Sequence, residues 1–142
     1  MLQLNLLAPK GQFTFGALVF DSLMRRGVDV RWWDYRKERD PYSRLIQNAP
    51  ILVLRGEAKE NIAQMLDWLT GPKYLWYCED VAKDQGREIL ELAAYYQNIW
   101  LHWANGAVLQ AIEQRYSNKQ VRVVPCLYAN QAVWKPDQPA ED

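Results

Sequence analysis

The sequence predicts an α/β protein, a three-layer sandwich with a mostly parallel sheet of about six strands. Two observations carry this. Short apolar runs alternate with longer stretches of helical period along the chain, the mark of strands separated by helices. Runs such as ILVL (51–54) and YLWYC (74–78) suit strands covered on both faces. Strands joined through helices must run parallel if each crossover keeps its usual right hand.

The elements follow in order. The first strand is Leu2–Leu7. In FTFGALVFDSLMRRG, Phe15, Leu18, Val19, Ser22 and Leu23 form one helical stripe, and Gly27 after two arginines is a C-terminal stop. Val28–Asp34 is the second strand. Arg36 to Ala49 breaks the rhythm: a charged turn with Pro41 leads into one short helix, so this crossover is brief. Ile51–Arg55 is the third strand, and KENIAQMLDWLTGP gives a helix with Ile62, Met65, Leu66 and Leu69 inward and a Gly71-Pro72 stop. Tyr74–Cys78 is the fourth strand, followed by AKDQGREILELAAYY with Ile89, Leu92, Ala93 and Tyr96 inward. Ile99–Trp103 is the fifth, followed by GAVLQAIEQRY with Val108, Leu109, Ile112 and Tyr116. Val121–Pro125 is the sixth. The arrangement is a doubly wound, Rossmann-like sandwich.

Its 142 residues fit one domain, spanning 1–136, with 137–142 as a tail or the start of an interdomain linker. Seventeen basic and seventeen acidic side chains cancel, so no broad field holds nucleic acid or an anionic membrane. Cys78 and Cys126 lie far apart without Cys-x-x-Cys or histidine spacing, which leaves a zinc site unsupported and points to buried free thiols in a reducing compartment. The N-terminus lacks a basic n-region, and no apolar run approaches the roughly 20 residues that span a bilayer. A soluble cytoplasmic protein without a transmembrane segment is expected.

Ligands of open parallel sheets bind outside the carboxyl ends of the strands. The first such loop, APKGQFTFG, brings Gly11, Gln12 and Phe13 to a helix N-terminus, either as a tight turn or as a ligand loop; it is not the G-x-G-x-x-G fingerprint. Glu57, in RGE after the third strand, either caps the next helix or faces the cleft. Glu79 and Asp80 follow the fourth strand, where one carboxylate can serve as general base while the other caps a helix. The fifth strand ends in LHWANG, with the lone His102 beside Trp103 and then Asn105. Trp32, Trp33, Trp76, Trp100 and Trp103 lie on or at the ends of strands; core packing and sugar stacking both use such rings.

QVRVVPCLYANQAVWKP resembles the end of the N-terminal domain of GT-B glycosyltransferases, in which a VVP-type strand, a small loop and an aromatic-x-Pro exit lead to the second domain. Pro125 matches the strand-end proline and Trp134-Lys135-Pro136 the exit, while CLYAN replaces the usual Asn-Gly-Val-Asp loop. HWANGAVLQAIEQRY is similar to the family's strand-to-helix step, with Asn105 as the small polar residue. PKYLWYCEDV is similar to the strand closing on a His-Asp or Asp-Asp pair in members of the spore-maturation type; here the pair is Glu79-Asp80, and glutamate stands where histidine is usual.

The resemblance implies the acceptor-side domain of an enzyme moving a sugar from a nucleotide-sugar donor to a hydroxyl, incomplete without a C-terminal GT-B domain or a partner subunit. It implies Glu79 or Asp80 as the catalytic carboxylate and Gly11 to Phe13 near the donor. Glu57, His102, Trp103 and Asn105 would shape the acceptor pocket, with no cofactor beyond the donor. The alternative is a stand-alone flavodoxin-like binding module without catalysis; its receiver version lacks the acidic pair after the first strand.

Overall fold

The computed structural model describes residues 1–11, 14–54, 60–78, 87–102 and 106–125. Six strands form one sheet: β1 (Gln3–Leu7), β2 (Asp29–Trp33), β3 (Ile51–Leu54), β4 (Lys73–Tyr77), β5 (Asn98–Leu101) and β6 (Gln120–Val123). Every pairing is parallel, and the order is β2-β1-β3-β4-β5-β6. Between them lie α1 (Phe15–Arg25), α2 (Glu60–Trp68), α3 (Arg87–Leu92), which tightens into a 3-10 turn at Ala93–Tyr95, and α4 (Gly106–Arg115). The predicted α/β sandwich is the observed one.

Chain direction across the sheet reverses once. The chain steps from β1 to β2 through α1, then returns past β1 and advances one strand at a time to β6. Right-handed crossovers in opposite directions put their connections on opposite faces. Accordingly α2, α3 and α4 pack on one face, where Ile62, Met65, Leu69, Ile89, Leu92, Val108 and Ile112 meet Leu7, Ile51, Val53, Leu75, Ile99 and Leu101. The second core cluster has only α1 among the described helices: Phe15, Val19, Phe20 and Leu23 lie over Leu6, Val30, Leu52, Leu54 and Trp32.

Helix ends follow the sequence signals. Thr14 caps α1, its Oγ1 accepting the Ala17 amide at 3.2 Å. At the other end Val28 N donates to Leu23 O and Gly27 N to Met24 O, with Gly27 at φ +81, the left-handed cap for which glycine is favoured. Gly71 acts differently: a Cβ there would lie 2.0 Å from the Ala49 carbonyl oxygen, so its role is close backbone approach.

The short helix expected between Arg36 and Ala49 is absent; the segment runs as turns and bends. The cause is Asn5, fully buried on β1. Its Nδ2 donates to Ile46 O at 2.7 Å and its Oδ1 accepts from Ile46 N at 2.8 Å. A side chain thus satisfies backbone groups that a helix would have paired, while Leu45 still enters the core and Pro41 starts a turn in which Arg44 N and Leu45 N donate to its carbonyl. The thiol of Cys78, expected to be buried, is half-buried, because Cys78 stands one residue beyond β4 at the sheet's carboxyl edge.

Candidate functional site

The strand order places the reversal point between β1 and β3, where loops on either side diverge and leave a crevice at the carboxyl edge. A cavity of about 340 Å³ occupies it. Ala8 and Pro9 line it from the loop after β1, Thr14, Phe15 and Gly16 from the start of α1, Leu54 from the end of β3 and Cys78 from beyond β4. The N-terminal end of an 11-residue helix therefore points its positive dipole into an otherwise mainly apolar hollow. Gly16 permits this approach: a Cβ there would sit 3.1 Å from both Ala8 Cβ and Pro9 O.

The wall formed by the β1 loop is held from behind. Asp34, 1 % exposed at the end of β2, accepts the Lys10 amide at 2.8 Å and the Arg36 amide at 2.9 Å. Trp32 Nε1 donates to Ala8 O at 3.0 Å. Lys10 Nζ lies 2.6 Å from Glu38 Oε1, and Arg44 pairs with the same carboxylate. Partial burial works to raise the Glu38 carboxyl, but the Lys10 hydrogen bond, the Asp34 amide and the charges of Lys10 and Arg44 outweigh it and hold the group below its ordinary value. The loop is thus fixed in place before any ligand arrives.

Of the candidate catalytic and substrate-binding residues, two fall within the described chain. Gly11 lies in the β1 loop, where its carbonyl accepts from Thr14 Oγ1 at 3.0 Å. His102 follows β5 at the same edge, its amide donating to Tyr77 O at 3.2 Å, and it is not among the residues lining the cavity. Gln12, Phe13 and Glu57 lie outside the described residues, as do Glu79, Asp80, Trp103 and Asn105. Thr14 and Asp34 are not among the residues the sequence marks, and Cys78 is marked only as a buried thiol. The signal for Asp34 was visible, since a lone acidic residue closing the apolar strand of WWD calls for a partner.

Among the described residues no three His, Cys, Asp or Glu side chains gather as a metal site, and no helix is long and apolar enough to cross a membrane. What the arrangement can do is receive a small ligand whose anionic part meets the α1 N-terminus while an apolar part lies against Pro9, Phe15 and Leu54. No family model, curated protein or solved structure matches this chain.

Proposed function

We propose that this chain is the acceptor-side domain of a GT-B type glycosyltransferase, acting in a cleft shared with a second domain or subunit. The observation that carries the reading is the crevice between β1 and β3, with the start of α1 at its wall. The likeness of PKYLWYCEDV, HWANGAVLQAIEQRY and the 120–136 stretch to that family supports it from the sequence.

In this reading an acceptor hydroxyl attacks the anomeric carbon of the donor. The bond from that carbon to the diphosphate oxygen breaks, the nucleoside diphosphate leaves, and the hydroxyl proton passes to Glu79 or Asp80. The α1 N-terminus offsets the charge growing on the diphosphate. The half-buried thiol of Cys78, which donates to the Trp76 carbonyl, suits a reducing, cytoplasmic setting.

The test is sugar transfer from a panel of nucleotide sugars by the protein isolated from its source cells with the second domain or subunit that accompanies it, with Glu79→Gln alongside. The expected result is turnover with at least one donor, reduced about a hundredfold by Glu79→Gln at unchanged melting temperature. Native protein that turns over no donor overturns the proposal. A second reading, a binding module, draws on the aromatic face beside α1, where Tyr74, Trp76 and Trp100 remain half-buried.

A further inference from the structure

On the α1 face the sheet runs on beyond the reach of its one described helix. Phe15 meets Trp76 edge to face at 4.9 Å, Trp76 meets Trp100 at 5.5 Å, and Tyr74 meets Trp100 at 5.6 Å, so three strand aromatics pave β4 and β5. Between this pavement and Leu18, Val19, Ser22 and Leu23 of α1 runs a trough of about 590 Å³, floored by Leu52. Its lining includes no charged side chain and two hydroxyls, those of Ser22 and Tyr74. It offers contact area with almost nothing to orient a polar ligand.

The chain leaving β6 is drawn toward this trough. Val124 N still extends the ladder to Leu101 O at 2.8 Å, while Val124 O turns inward and accepts from the indole Nε1 of Trp76 at 2.9 Å. A bond from the β6 exit to a β4 side chain spans β5 and lies at the rim of the aromatic pavement. The residues that follow change character once: in CLYANQAVW (126–134) seven of nine are apolar, whereas KPDQPAED (135–142) is charged and proline-broken. The distance from β6 to β3 is roughly 14 Å at ordinary strand spacing. Nine residues cover roughly 30 Å when extended, which reaches.

We propose that residues 126–134 of this same chain occupy the trough and complete the core on the α1 face, with Leu127, Val133 and Trp134 as its main apolar contacts. This stands apart from the glycosyl-transfer reading and survives its failure.

Isotope-filtered NOE spectroscopy on the full chain tests it. The expected result is NOEs from the Leu127 and Val133 methyls to the rings of Tyr74, Trp76 or Trp100, unchanged when labelled chain is diluted tenfold into unlabelled chain. Val133→Asp in the full chain then removes them and speeds amide exchange of α1 at least tenfold. NOEs that vanish on dilution mean that a second copy fills the trough and overturn the proposal. Absence of the NOEs together with stoichiometric binding of 1-anilinonaphthalene-8-sulfonate by the unaltered chain marks an apolar ligand site, and overturns it equally; absence alone also does so.

Discussion

The two faces of the sheet are held by different means. On the face under α2, α3 and α4, Leu7, Ile51, Val53, Leu75, Ile99 and Leu101 are sealed from water, and the polar ends of the large side chains are satisfied, as Tyr77 is by Glu88 and Tyr116 by the Leu90 carbonyl. On the other face one described helix stands on ring contacts, Phe20 on Trp32 and Phe15 on Trp76, and its position depends on how its ends are fastened. The first face is closed by area. The second is sited by caps and a few rings, and its helix N-terminus faces the crevice at the carboxyl edge. The sealed packing and the helix start at the crevice thus lie largely on opposite sides of one sheet.

If that contrast is right, the largest loss follows truncation on the closed face. Leu75→Ala, at a fully buried centre-sheet position, should cost about 3 kcal/mol, seen in denaturant titration as a lower midpoint at unchanged slope. A loss below about 1 kcal/mol would break the comparison. Next comes the polar pin of that face. Asn5→Leu leaves the Ile46 amide and carbonyl without their side-chain partner and should cost about 2 kcal/mol, with amide exchange rising between residues 44 and 50 rather than in α1. On the α1 side, Gly27→Ala meets no atom within 4 Å but must hold φ near +81, so about 1 kcal/mol of backbone strain should appear as faster exchange at the end of α1.

The smallest effect belongs to the charge cluster behind the crevice. Because the Glu38 carboxyl is held below its ordinary value near 4.5, its contribution is present above that pH and is lost as pH falls through its folded value. The sign is destabilisation on acidification. Partial exposure of Glu38, Lys10 and Arg44 limits the effect to about 0.5 kcal/mol, and Glu38→Gln should flatten that part of the stability profile below pH 5.

The sequence made the elements legible because burial on both faces leaves near-continuous apolar strands, and each of the six lies within two residues of its expected ends. The inward residues of α2, α3 and α4 were readable from period alone, as the burial of Ile62, Met65, Ile89, Leu92 and Ile112 shows. The 36–49 segment was not, because its backbone is satisfied by Asn5 some forty residues away, and local periodicity carries no trace of that. Nor was the unequal share of the described helices on the two faces, which depends on the point where the chain reverses across the sheet. The edge loops were legible as an address, and the structure adds the cavity there; Thr14 and Cys78 line it because a helix start and a strand end converge, which spacing along the chain does not reveal.

The most direct test of the account is a nucleotide-sugar titration followed at backbone amides on both sides of the sheet. The account predicts saturable shifts at Gly11, Gly16 and Cys78, around the crevice, with Ser22 and Trp100 in the trough unmoved. Shifts confined to Ser22 and Trp100, or none at any of the five for every donor tried, would contradict it.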